Sequence, residues 1–312
     1  MPVATTLGPV IALLSQALYK GTSYSPASYV KWLEMAGARV TLVPYDANDD
    51  MVDSVFNKTN GALFIGGGSD TPKSARRFYK NMMAAHASGD SYPIWGTCDG
   101  FEWLMQIGAA DDSILTSGFD SENISLPLNL TAAAHTSRLF ADAKSIPIQG
   151  SMGADGTRTT VLQALATQPI TLNNHHQGVT PHDLAQSALA QGFDVLATNV
   201  DRKGKAFVSV VEAKGSVPVW ATQFHPEKNI FEQGRALPSD GWWPYEAIAH
   251  DRAAVAASQY MANFFVDQAR ASSHRYGDAK EEWQALVYKH TTSTTMAPEF
   301  AQVYTFKDGA WM

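Results

Sequence analysis

The sequence predicts an α/β fold: a mainly parallel central sheet with helices on both faces. Short apolar runs alternate with amphipathic ones through the first third of the chain. Glycines or prolines punctuate nearly every change between them. Strands separated by helix-length segments cannot be joined as hairpins, so they pair in parallel and are covered by their own crossover helices.

Residues 9–16 form an apolar run of strand length. Residues 25–36 follow as a helix, with Ser25-Pro26 read as an N-cap and a proline in the first turn, and Gly37 as its stop. Residues 39–43 make a second strand, 49–56 a helix with acidic residues in its first turn, and 61–65 a third strand running into Gly66-Gly67-Gly68. A helix over 72–87, a strand over 92–97 and a helix over 99–107 continue the alternation. Periodicity fades over 113–156, which reads as loops and short strands. Residues 206–212 and 217–223 read as paired strands about a turn at 213–216, and 253–269 as an amphipathic helix. The stretch 239–245, rich in Trp, Pro and Gly, reads as an aromatic loop.

A chain of 312 residues with 45% hydrophobic side chains and no compositional break is expected to be one domain, 1–312, with loop insertions. A net charge of −7 and the absence of any basic cluster exclude nucleic acid as an expected partner. The longest apolar runs are too short to span a bilayer, so no membrane partner is expected. The first residues lack the charged region and cleavage site of a signal peptide. Asn57-Lys58-Thr59, Asn123-Ile124-Ser125 and Asn129-Leu130-Thr131 fit the glycosylation pattern and tilt the expectation toward the secretory route.

Trp95-Gly96-Thr97-Cys98-Asp99-Gly100 sets the one cysteine between a strand and a helix, with glycines two residues to either side. That is the pattern of a nucleophile elbow, where small neighbours permit a sharp turn and let the nucleophile stand clear of the backbone. The helix start favours thiolate. A buried structural cysteine is the alternative. A cysteine hydrolase needs a base, and His225-Pro226-Glu227 supplies one after a strand, with a carboxylate two residues on to orient the ring. Glu102 lies four residues past Cys98, on the same helix face. The scattered histidines give no metal-ligand spacing, so no metal is expected.

Gly96-Thr97-Cys98-Asp99-Gly100 together with Gln223-Phe224-His225-Pro226-Glu227 resembles the class I glutamine amidotransferase family. Within it, the segment from Ala27 to Val40, Pro127-Leu128-Asn129-Leu130-Thr131, His225-Pro226-Glu227-Lys228-Asn229 and Ala285-Leu286-Val287-Tyr288 resemble the γ-glutamyl hydrolase branch, over nearly the whole chain. The resemblance implies a flavodoxin-like three-layer fold. It also implies hydrolysis of the γ-linked glutamate tail of folates and antifolates (pteroyl-poly-γ-glutamates) in lysosomes, vacuoles or outside the cell, by a cofactor-free homodimer. It makes Cys98 the nucleophile, His225 the general base and acid, and Glu227 the orienting carboxylate. Gly66-Gly67 matches the family's glycine pair, and His175 and Tyr24 match residues near its substrate, with His176 an alternative to His175. The N–H groups of Gly67 and Asp99 are the oxyanion-hole candidates.

Two departures stand out: Ile65 occupies a position where the family usually has proline, and Asp99 one where leucine or glutamine is commoner. A carboxylate next to the thiol is expected to oppose thiolate formation and slow attack. The same triad would also serve a glutaminase domain supplying ammonia to a synthetase, or persist in a catalytically silent binding or storage protein. The chain carries no ATP-binding glycine loop that would favour the former.

Overall fold

In the computed structural model, which describes residues 6–19, 21–153, 156–233, 246–294 and 300–307 and the backbone of 235–237 and 241–243, the early apolar runs pair as parallel strands. The chain divides into two compact units. Met1–Trp103, Ser216–Val219 and Ala262–Met312 form the first, Leu104–Gly215 and Trp220–Met261 the second.

The sheet of the first unit has the order Arg39–Val43, Val10–Leu14, Gly61–Phe64, Ile94–Thr97, all parallel. Val10–Leu14, Gly61–Phe64 and Ile94–Thr97 are buried at every position, as expected of parallel strands covered on both faces. Each Val, Leu, Ile or Phe side chain so buried contributes about 1.5–3 kcal/mol of transfer free energy. The register matches Leu14 with Phe64 and Phe64 with Gly96. Gln16, Gly66 and Cys98, each two residues further along, therefore emerge together at the carboxyl edge, where ligands of open α/β sheets bind.

Helices Ala27–Glu34, Asp49–Phe56, Lys73–Ala87 and Asp99–Ala109 follow these strands. Asn48 caps the second through its side chain, which accepts from Met51 N–H at 2.9 Å, and Asp49 and Asp50 lie against the positive end of its dipole. The expected cap at Ser25 is corrected. Ser25 belongs to a strand, Thr22–Pro26, with its hydroxyl on Ser15 Oγ at 2.7 Å, and Pro26 itself is the N-cap. That strand is part of a small antiparallel sheet in the order Thr292–Ser293, Val303–Lys307, Thr22–Pro26, Gln16–Tyr19. The residues from Ser25 are committed to this ladder before the helix can use them.

The second unit is antiparallel. Val219–Thr222, Ala206–Ala213, Phe193–Val200 and Asn129–Leu130 pair antiparallel in that order. Residues 113–156, expected to be loops and short strands, contain the 11-residue strand Thr116–Leu126, which pairs with Thr171–Gly178. Its face alternation is weak because polar residues fill both faces, so periodicity could not report it. Apart from Gly241–Trp243, which is a strand, the aromatic stretch 239–245 lies outside the described residues. Among the described residues no helix is long and apolar enough to cross a membrane.

Asn60 ties the sheet of the first unit to residues near the end of the chain. Its Oδ1 accepts from Val10 N–H at 2.9 Å and its Nδ2 donates to His274 O at 2.7 Å and Ser272 O at 3.3 Å. Asn60→Ala leaves several buried backbone groups without partners and is expected to cost about 2–4 kcal/mol. Urea denaturation should show a lower midpoint at unchanged slope; a shift below about 0.5 kcal/mol would contradict this role.

Candidate active site

Cys98 stands between Ile94–Thr97 and the helix Asp99–Ala109 with φ of 54°, a left-handed backbone that costs a non-glycine residue about 1–3 kcal/mol. The turn forces its neighbours to be small. A Cβ on Gly100 would lie 2.1 Å from the carbonyl oxygen of Phe64, a backbone atom that cannot yield. The helix packs this closely because Cys98 turns the chain so sharply, and Glu102 N–H closes the first turn onto Cys98 O at 3.0 Å. The thiol is buried, at 4% exposure, and Glu102 is buried one turn beyond it.

The loop 65–69 leaves the neighbouring strand and is held at both ends. Gln16 Nε2 donates to Ile65 O at 2.9 Å, and the Tyr29 hydroxyl accepts from Gly66 N–H at 2.8 Å. At the far end Ser69 N–H donates to Asp99 Oδ2 at 3.0 Å while Trp103 Nε1–H donates to Ser69 O at 3.0 Å. Gly67 sits between these anchors. A Cβ there would lie 2.3 Å from Gln16 Cδ, which explains the glycine. Gly66, expected to bind substrate, has its N–H engaged by Tyr29.

The Asp99 carboxylate is turned onto this loop: Oδ2 accepts from Gln16 Nε2 at 2.9 Å as well as from Ser69. Burial pushes its pKa up to about 7, against the opposing pull of those two hydrogen bonds. Near neutral pH the group therefore carries less charge than an ordinary aspartate, which weakens the opposition to thiolate expected from it. Tyr24 is half-buried on Thr22–Pro26, its ring 6.2 Å from that of Phe300.

In the second unit, His225 follows Val219–Thr222, and its Nδ1 lies 2.8 Å from Glu227 Oε1, with both side chains buried. A carboxylate only accepts, so Nδ1 carries the proton and Nε2 keeps the lone pair of a base. The segment is fastened from three sides. His225 N–H donates to Leu172 O at 2.9 Å, Ser258 Oγ donates to Pro226 O at 2.6 Å, and Asn229 Nδ2 donates to Ala249 O at 2.9 Å. Lys228 forms a buried ion pair with Glu246, whose other oxygen accepts from Asn174 at 2.8 Å.

His175 belongs to the same strand as Leu172, Thr171–Gly178, at a point where the ladder slips on either side of it. Such bulges re-aim side chains. Its Nδ1 lies 2.7 Å from Gln177 O, so Nδ1 is the donor, and the buried Nε2 has no hydrogen-bond partner. Burial above all, with the nearby His225 adding to it, pulls its pKa down to about 4. His175 is therefore a neutral, buried acceptor, its ring edge-on to Phe207 at 4.7 Å. His176 is exposed, its Nδ1 3.5 Å from Glu122, which favours His175 of the two.

Cys98, Asp99, Gly66, Gly67, Glu102 and Tyr24 thus lie in the first unit, and His225, Glu227 and His175 in the second. Sequence reasoning missed Gln16, Tyr29, Ser69 and Trp103. The signal available for Gln16 was its place just past the carboxyl end of a parallel strand. Among the described residues no group of three or more His, Cys, Asp or Glu could hold a metal ion.

The model of the class-I glutamine amidotransferases matches residues 21–244. The γ-glutamyl hydrolase B of Dictyostelium discoideum is 34% identical over 312 residues, 96% of this chain and 83% of that protein. The human γ-glutamyl hydrolase is 33% identical, covering 97% and 91%, and the γ-glutamyl hydrolase 1 of Arabidopsis thaliana 29% identical, covering 90% and 77%.

The raised pKa of Asp99 has a measurable consequence. A carboxyl whose folded pKa, about 7, exceeds its unfolded value of 3.8 contributes stability that is full below about pH 4 and lost as pH rises through 7. Asparagine does not titrate, so the melting temperature of Asp99→Asn relative to the native chain should rise steadily between pH 4.5 and 7.5. A difference independent of pH would contradict the assignment.

Proposed function

The chain belongs to the class-I glutamine amidotransferase family, in its γ-glutamyl hydrolase branch, and from that membership we propose that it hydrolyses the γ-glutamyl bonds of folate and antifolate poly-γ-glutamates through a thioester on Cys98. The observation that carries the substrate class is the likeness to γ-glutamyl hydrolases along nearly the whole chain. The geometry within each unit supports the chemistry.

Cys98 Sγ attacks the γ-carbonyl carbon while His225 Nε2 holds the thiol proton. The negative charge that develops on the carbonyl oxygen is taken up by the N–H groups of Gly67 and Asp99. As the C–N bond breaks, His225 delivers the proton to the leaving glutamate amine, and the acyl group stays on sulfur. Water then attacks the thioester, His225 accepts its proton, and the thiolate leaves with that proton returned to it. Glu227 stabilises the imidazolium in both halves and fixes its tautomer. The lone pair on His175 Nε2 is matched by a donor N–H on the substrate, and Glu102 and Tyr24 complete the substrate contacts. Residence outside the cell or in lysosome or vacuole, and a homodimer, belong to the same proposal. Asn57, Asn123 and Asn129 are all exposed, as N-linked glycans require.

Product lengths from a pteroyl-penta-γ-glutamate test this. The native chain should shorten the tail, and Cys98→Ala should melt as the native chain does yet leave the substrate intact. His225→Asn should lose about three orders of magnitude or more in kcat, and Glu227→Gln about ten-fold to a hundred-fold less than that, because orientation contributes less than proton transfer. Near-native turnover by Cys98→Ala overturns the nucleophile, and the reverse order of the other two overturns their roles.

A further inference from the structure

We propose that Asp99 is a positioning residue for the reaction: through Gln16 and Ser69 its carboxylate holds the loop 65–69 so that the Gly67 N–H is presented to the developing oxyanion. This rests on the reading of Gly67 as an oxyanion donor given above.

The geometry is that of a clamp. Gln16 is fully buried and has two amide hydrogens; one goes to Ile65 O and the other to Asp99 Oδ2, each at 2.9 Å. The same Oδ2 accepts from Ser69 N–H at 3.0 Å. One carboxylate oxygen therefore connects the beginning of the loop, by way of Gln16, with its end. Trp103, one turn along the helix from Asp99, donates to Ser69 O, so a single helix face grips both main-chain polar groups of Ser69. Tyr29 holds Gly66. Only Gly67 and Gly68 are left between the anchors, and glycines have no side chain with which to fix their own conformation. The helix that supplies the clamp begins directly after Cys98, so the loop and the nucleophile take their positions from the same rigid element. An oxyanion donor is effective in proportion to its preorganisation, and loss of one donor lowers kcat by about 10²–10³. On this account the carboxylate next to the cysteine serves the reaction, where charge repulsion alone would have it oppose the reaction.

The test measures kcat and KM on a pteroyl-di-γ-glutamate, together with the rate of Cys98 alkylation by iodoacetamide. Asp99→Leu removes both accepting bonds while keeping the branched shape and the number of side-chain heavy atoms, and is expected to lower kcat about 10-fold to 100-fold with KM within about two-fold, because the interaction is made in the transition state. Alkylation, which needs no oxyanion donor, should stay within about two-fold of native. Asp99→Asn keeps an acceptor oxygen and should recover kcat to within about three-fold of native. Gln16→Met removes the clamp from its other side, so it should lose kcat similarly, and the double variant should be no worse than the worse single. It also carries the test if Asp99→Leu melts below the assay temperature. An Asp99→Leu enzyme with native or higher kcat, a loss appearing in KM, or additive effects of the two sites each overturn the proposal while the hydrolase reading stands. A native chain that leaves the substrate intact overturns both.

Discussion

A cysteine backbone forced into the left-handed region, with a glycine pressed against a carbonyl of the next strand, is the constraint from which the rest of the first unit's site follows. At φ of 54°, Cys98 gives up about 1–3 kcal/mol of local conformational preference. Such strain persists only where the surroundings over-determine it. Here the parallel pairing of Ile94–Thr97 with Gly61–Phe64 fixes one side of the turn, and the close approach of Gly100 to Phe64 O fixes the other. The gain is directional: the thiol stands at the start of a helix whose first N–H groups have no intrahelical acceptor and whose dipole favours an anion.

The elbow also organises its neighbours. Because the same register brings Gln16, Gly66 and Cys98 to one edge, side chains from one strand and two helices converge on a five-residue loop. Four side-chain hydrogen bonds hold that loop, each worth about 0.5–1.5 kcal/mol net and more where the carboxylate takes part. In the second unit the same economy appears in a different form. A single short segment, from His225 to Asn229, carries the imidazole, its carboxylate partner, a buried lysine and an amide, and the backbone of His225 and Pro226 with the side chains of Lys228 and Asn229 fastens it to the strand Thr171–Gly178, the helix Arg252–Ala269 and residues 246–249.

Much of this was legible in the sequence. The parallel strands of the first unit and the helices Asp49–Phe56 and Lys73–Ala87 follow their apolar and capping patterns to within a few residues, because buried parallel strands leave continuous apolar runs. The sharp turn at Cys98 and the His225–Glu227 hydrogen bond were legible for a similar reason, since small flanking residues and a two-residue spacing leave a local signature. Thr116–Leu126 was not legible, because its register is set by a partner some fifty residues away and not by its own alternation. Ser25 was misread because a hydroxyl before a proline satisfies local capping rules, while the competing ladder with Val303–Lys307 is remote in sequence. Asp99 was read from its charge alone. Its direction depends on Gln16 and Ser69, and only the fold brings those to it.

The central claim is covalent chemistry at Cys98, and the most direct measurement is to mix the chain with a pteroyl-di-γ-glutamate, quench in acid within the first turnover and weigh the peptides. A thioester that carries the pteroyl-glutamyl group on the Cys98 peptide, absent from Cys98→Ser and lost on standing before the quench, is the expected result. Turnover with no adduct on that peptide, or with the acyl group on another residue, would contradict the account.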